Sequence, residues 1–142
     1  MKRTLINELK NHLNTEVLIQ GWVQELRNLS KIKFLILRDR TGDMQTVAFK
    51  GETDDASFNL INDLTKESVV EIVGTAKANK ESRWGVEVGI KKLTVISAAA
   101  TPLPIDNTDK SMTQLDKRLD HRLLDTRNLH KQAIFKVRSK IV

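Results

Sequence analysis

The feature that most constrains this chain is a change in the period of its apolar residues. In five runs the apolar side chains recur at every second position, the spacing of a strand with one buried face. These runs are VLIQGWVQELRN (from Val17), KIKFLILRD (from Lys31), MQTVAFK (from Met44), SVVEIVGTAKAN (from Ser68) and VEVGIKKLTVISAA (from Val86). Between the third and fourth runs the period changes. DASFNLINDL places Phe58, Leu60, Ile61 and Leu64 on one face, which predicts a helix opened by Asp54 or Asp55 as cap. The order strand–strand–strand–helix–strand–strand is that of the five-stranded OB barrel; a five-stranded SH3-like barrel lacks the helix. The fold class expected is therefore all-β with accessory helices.

Local signals add detail. Gly21 lies inside the first strand, where glycine marks a bulge or sharp bend of the kind that closes a small barrel. Trp22 beside it belongs to the core or the barrel rim. RTGD reads as a hairpin turn in which Gly42 is free to take positive φ, and the fifth strand is expected to break near Gly89. Before the first strand, Leu5, Ile6, Leu9 and Leu13 have helical spacing, with Thr4 as the expected cap.

After the fifth strand the character changes. Both prolines, Pro102 and Pro104, fall in TPLPIDNTDKS among turn formers, which reads as an interdomain hinge. LDKRLDHRLLDTRN follows, then LHKQAIFKVRSKIV with Ile134, Val137 and Ile141 at helical spacing. That last helix has no C-terminal signal and is expected to continue past the final residue. The organisation expected is a barrel over 1–100, a hinge over 101–114 and the start of a second domain over 115–142.

Charge narrows the function. The 142 residues carry a formal net charge of +6, which favours a polyanionic partner. Between Arg27 and Arg40 five cations (Arg27, Lys31, Lys33, Arg38, Arg40) face one anion, Asp39; from Arg127 onward there are five cations and no anion. A solvated face scatters its signs, and these do not scatter. With no cysteine, disulfides, thiolate metal sites and cysteine nucleophiles are excluded. His12, His121 and His130 match no metal-ligand spacing, and no glycine-rich phosphate loop is present. Asp116, Asp120 and Asp125 alternate with Lys117, Arg118, Arg122 and Arg127, so mutual pairing describes them better than a carboxylate site. No run approaches the roughly 18–20 apolar residues of a membrane span, and the opening MKRTLINELK lacks a signal-peptide core. A cytoplasmic protein with no membrane partner is expected.

An OB barrel binds single strands or loops on the face of its second and third strands, with cations for phosphates, an aromatic for stacking and polar side chains for base edges. Strand alternation separates Ile32, Phe34, Ile36 and Arg38 from Leu35 and Leu37, and Gln45, Val47 and Phe49 from Met44, Thr46 and Ala48. Phe34 is then either an ordinary core phenylalanine or, if the Leu35 face is the core, an exposed aromatic beside Arg38. Gln45 and Glu87 taken alone read as solvent-facing. Arg27, Lys31, Lys33 and Arg38 are either a solvated edge or phosphate contacts, and their clustering favours the latter.

Four segments in order resemble one family. GWVQELRNLSKIKFLILRDRTGDMQTV (from Gly21) and GVEVGIKKLTVISAAATPLPID (from Gly85) are similar to the opening strands, fifth strand and hinge of class II aminoacyl-tRNA synthetases of the aspartate–asparagine–lysine group. LDKRLDHRLLDTRN resembles the link of the aspartyl enzymes, and AIFKVRSKIV the helix that opens their archaeal and eukaryotic-type catalytic domain. The resemblance implies an anticodon-binding domain. In it Phe34 stacks on an anticodon base, Gln45 reads the central uracil, Glu87 contributes to anticodon recognition and Arg27 approaches the anticodon stem or its phosphates. It implies tRNA for aspartate as partner, with asparagine tRNA left open because Gln24 stands where residues governing that choice vary. It further implies ATP and Mg as cofactors, and a homodimer, for the intact enzyme. The first class II motif is incomplete here and the second and third are missing, so this chain is expected to be inactive alone. A free-standing single-strand binder and a protein-docking domain are the alternatives.

Overall fold

The computed structural model describes residues 1–106 and 113–142. Five strands form in the expected places: β1 (Glu16–Asn28), β2 (Ile32–Arg38), β3 (Asp43–Phe49), β4 (Val69–Ala78) and β5 (Val86–Ser97). They close into a barrel in the order β1-β2-β3-β5-β4. Every pairing is antiparallel except β3 with β5, which run parallel at Thr46–Val88 and Val47–Gly89. Helix α1 (Asp55–Leu60) lies between β3 and β4 in sequence and continues as a short 3-10 turn, Ile61–Asp63. This is the five-stranded OB barrel that the periodicity predicts.

Closure rests on β1 serving two neighbours. Trp22 is opposite Arg38 of β2 and also opposite Val69 of β4. A Cβ on Gly21 would stand 2.4 Å from the Arg38 carbonyl oxygen, so only glycine lets the chain pass there. Gly74 does the same for the other seam, where a Cβ would stand 2.2 Å from the Gly89 carbonyl oxygen. The bulges themselves are displaced from the glycines. The register steps from Val23–Leu37 to Glu25–Ile36, leaving Gln24 as the extra residue of β1. In β5 it steps from Ser97 to Val95 and from Lys92 to Ile90, so the extra residues are Ile96 and Lys91, the latter two residues from Gly89. An extra residue bends a strand and increases its twist, which a closed barrel of few strands requires.

The interior is filled from all sides. Val17, Ile19 and Val23 of β1, Leu35 and Leu37 of β2, Met44 and Ala48 of β3, and Ile72, Val88 and Leu93 pack in one buried cluster. Phe58, Ile61 and Leu64 of the expected helical stripe pack into it while Leu60 is exposed, and Asp54 caps α1 by accepting from Ser57 N at 3.1 Å.

Two local expectations are corrected. The N-terminal segment is a 3-10 helix, Ile6–His12, and Thr4 is not its cap. Thr4 N donates to Leu18 O at 2.8 Å. The helix is pinned at Ile6 N by Asp39 (3.0 Å) and at Asn7 N by Thr41 Oγ1 (3.2 Å), and Glu8 accepts from Leu5 N (3.1 Å). Gly42 is absent from the residues with positive φ. Its turn is built instead by the Asp39 carboxylate, which accepts from Thr41 N (2.7 Å) and Gly42 N (3.2 Å), a local Asx arrangement that needs no left-handed residue.

The chain divides into two compact units, Met1–Ala99 and Ala100–Val142. The second contains α2 (Leu115–Asp120), α3 (Arg122–Asp125) and α4 (Leu129–Ile141). Part of the expected hinge, residues 107–112, lies outside the described residues. Asp125 is buried between Arg118 (2.7 Å) and Arg122 (2.8 Å). The hydrogen bond from Arg118 holds its carboxyl below the ordinary 3.8 against the opposing effect of burial. This is the charge pairing expected of the segment, shown for Asp125 of its three aspartates. Among the described residues no helix is long and apolar enough to cross a membrane.

Candidate nucleic-acid interface

The outer face of β2 and β3 carries two adjoining clefts. Phe34 stands opposite Val47, and Ile36 opposite Gln45, so alternation brings these four side chains out on the same side. Val47 is only 2% exposed yet is not part of the interior cluster. It is covered from outside and forms the floor of the larger cleft, about 400 Å³, together with Phe34, Gln45 and Phe49. Glu87 enters this cleft from β5, and Asn79, Ser82, Arg83 and Trp84 enter from the β4–β5 loop. The smaller cleft, about 210 Å³, is lined by Glu25, Leu26, Arg27 and Ile36 and again by Phe34 and Gln45. Phe34 and Gln45 are thus common to both.

The polar groups are arranged for contact. Glu87 accepts from Asn79 Nδ2 at 2.8 Å through one oxygen, Oε2. The Asn79 Oδ1 in turn accepts from Glu81 N at 2.9 Å, which ties the start of the loop to its own side chain. Asp43, the first residue of β3, accepts from Trp84 Nε1 at 3.0 Å and from Arg83 Nη2 at 2.5 Å. The Arg83 guanidinium lies 4.0 Å from the centre of the Trp84 ring. Arg27 and Lys31 are exposed.

Two expected phosphate contacts are corrected. Lys33 is 3% exposed and points inward. Its Nζ donates to the Phe58 carbonyl and to Asn62 Oδ1 (2.8 Å) and sits 4.0 Å from the centre of the Phe58 ring. Burial pushes its pKa below the ordinary 10.5, opposed by the Asp63 carboxylate. Arg38 is 4% exposed, and its Nη2 donates to both oxygens of Glu67, at 3.0 and 3.2 Å. Neither cation faces the clefts. Both tie the barrel to the segment that links β3 to β4.

The structure therefore brings Phe34, Gln45, Glu87 and Arg27 to one surface and removes Lys33 and Arg38 from it. Sequence reasoning missed Asp43, Asn79, Arg83 and Trp84. A tryptophan next to an arginine in an otherwise polar loop was the available signal, since a loop aromatic has no core of its own to fill. Among the described residues no group of three or more His, Asp or Glu side chains is placed to hold a metal.

Comparison with known proteins agrees with this geometry. The chain belongs to the OB-fold nucleic acid binding domain family, whose model matches residues 17–96. Among individual relatives, the aspartate–tRNA(Asp/Asn) ligase of Methanopyrus kandleri is 45% identical over 126 residues, covering 89% of this chain and 29% of that protein. The aspartate–tRNA(Asp) ligase of Pyrococcus horikoshii is 43% identical over 136 residues, covering 95% of this chain and 31% of that protein. The crystal structure of asparaginyl-tRNA synthetase from Pyrococcus horikoshii superposes with a TM-score of 0.88 at 30% identity, over 98% of this chain and 32% of that one. The resemblance read in the sequence holds. The chain spans about a third of the length of these curated relatives.

Proposed function

We propose that this chain is the anticodon-binding module of an aspartate–tRNA ligase, and that the paired clefts receive splayed anticodon bases. The observation that carries the reading is that Phe34 and Gln45 line both clefts at once. An aromatic face stacks on any base, contributing about 1–3 kcal/mol. The amide beside it adds selection, because glutamine offers one acceptor and two donors. A uracil edge presents a carbonyl acceptor and an N–H donor, which is the complement. Glu87 is held by Asn79 through Oε2, and its carboxylate suits a base amino group. Arg27, at the smaller cleft, is placed for a phosphate or the anticodon stem, and exposed Lys31 adds to the field.

In the parent enzyme, ATP and Mg supply the activation of aspartate, and tRNA for aspartate receives it; acceptance of asparagine tRNA would follow from residues around Gln24. A homodimeric, cytoplasmic parent fits this role. This chain contributes register: it grips the anticodon so that the rest of the tRNA is presented elsewhere. Phe34→Ala tests the reading. The variant should keep its circular dichroism spectrum and melting temperature close to those of the original while affinity for an anticodon stem-loop falls about tenfold or more. Unchanged affinity in the folded variant would refute the assignment.

A further inference from the structure

The cleft has a second aromatic wall that the proposed reading does not use. Phe34 and Phe49 are supplied by strands, whereas Trp84 is supplied by the loop that joins β4 to β5. Trp84, one of two tryptophans in the chain, is half-buried and its ring forms part of the cleft wall. The ring is fixed at several points. Its Nε1–H is satisfied by Asp43 Oδ1, and the Arg83 guanidinium lies over the ring. Arg83 is itself bound to the other oxygen of Asp43. One carboxylate, on the strand that also carries Gln45, therefore sets the position of both loop side chains.

This arrangement decides what Trp84 offers to a ligand. With its N–H already donated and Arg83 over one face, the indole can meet an incoming group only through its other face and not as a hydrogen-bond donor. The Arg83 guanidinium stays open to solvent, its side chain 64% exposed against 19% for Asp43, while Glu81 and Glu87 line the same cleft. A flat base on the ring with a phosphate near the guanidinium satisfies both features, as on the stacking platforms of single-strand binders.

We propose that Trp84 is a second base-stacking residue of this cleft and that Asp43 is its positioning residue, so that the loop contributes a base contact additional to those on the strands. The inference rests on the reading of the cleft as an RNA site. Asp43 acts only through Trp84 and Arg83.

The test uses the full chain with Trp22→Phe, which leaves Trp84 as the only tryptophan, and a dye-labelled anticodon stem-loop bearing GUC. Two signals are followed in one titration, dye anisotropy for binding and indole emission for stacking. The expected result is quenching of Trp84 emission along the same curve as the anisotropy, with affinity about tenfold lower in Trp84→Leu. Asp43→Ala should weaken binding and reduce the quench, and Asp43→Asn, which restores an acceptor for Nε1, should recover most of the quench. Rescue by asparagine separates positioning of the ring from a general effect on folding. Anisotropy that saturates without any change in indole emission, with Trp84→Leu binding as well as the parent, would overturn the inference and leave the anticodon reading intact. Absence of an anisotropy change would overturn both.

Discussion

Lys33 and Phe34 are neighbours on β2 with opposite roles. Lys33 carries an ammonium group inward, where it binds the carbonyl of Phe58 and the amide of Asn62. Phe34 carries an apolar ring outward into two clefts. The parity of the strand contained this answer, since Lys33 shares its face with Leu35 and Leu37. Reading charge as a cluster overrode parity and placed Lys33 among the phosphate contacts. Arg38 misled for another reason. Parity puts it outside with Phe34, yet it sits at the end of β2, where it turns to meet Glu67. Lys33→Ala separates the two roles. It leaves a buried carbonyl without this donor and should cost about 1–3 kcal/mol of stability, with RNA affinity unchanged within about twofold once the protein is folded. The pH dependence has a definite sign. Because the folded pKa lies below 10.5, the unfolded chain binds more protons between the two values. The Lys33 contribution to stability therefore rises with pH through that window and is flat below it. Denaturant melts of the original and Lys33→Ala at several pH values, compared as a difference, check this directly.

At the scale of elements, glycines and bulges made the barrel legible without making its seams legible. Gly21 signalled a bend in β1, but the bulge is three residues on, at Gln24; Gly89 signalled a break in β5 and one falls close by, at Lys91, but a second at Ile96 had no signal. Glycine marks where two backbones pass closely, and register decides where the extra residue goes. The N-terminal segment has the apolar spacing of an α-helix and becomes a 3-10 helix. Its first amides are claimed by Asp39 and Thr41 from the hairpin turn, more than thirty residues away. No local pattern contains such a tertiary constraint. The start and cap of α1 at Asp54 were legible, but the expected single helix ends at Leu60, passes into a 3-10 turn, and leaves Leu60 exposed. Gly74→Ala tests the seam between β4 and β5. A Cβ there meets the backbone carbonyl of Gly89 and not a movable side chain, so the substitution should cost at least about 1–3 kcal/mol. Gly85→Ala is the control: nothing stands within 4 Å of its Cβ, and its cost should come only from the positive φ of 71°. Chemical denaturation of both variants measures the difference.

At the scale of the molecule, the net charge of +6 indicates a polyanionic partner without saying where it binds. Removing Lys33 and Arg38 from the surface leaves Arg27 and Arg83 in the cleft linings and exposed Lys31 beside β2, with Arg40, Lys50 and Lys80 also exposed on the adjoining turns. If three cations, Arg27, Lys31 and Arg83, meet phosphates, log K should fall with log salt at a slope of about −2 for a single-stranded target. A slope near zero in an anisotropy titration series would show that the basic surface plays no part in binding. Fold class and the outward placement of Phe34, Gln45, Glu87 and Arg27 were legible because alternation and an ordered set of family segments agreed. The loop-borne half of the cleft was not, since Asp43, Asn79, Arg83 and Trp84 come together only when the barrel closes.

The most direct test of the central claim is a titration of this chain with an anticodon stem-loop bearing GUC, beside the same loop with its central uracil changed to adenine. Clear preference for GUC is expected, with loss of that preference in Gln45→Ala while residual stacking affinity persists. Equal binding to the two loops by the original chain would contradict an anticodon reader and leave a barrel that holds single strands without reading them.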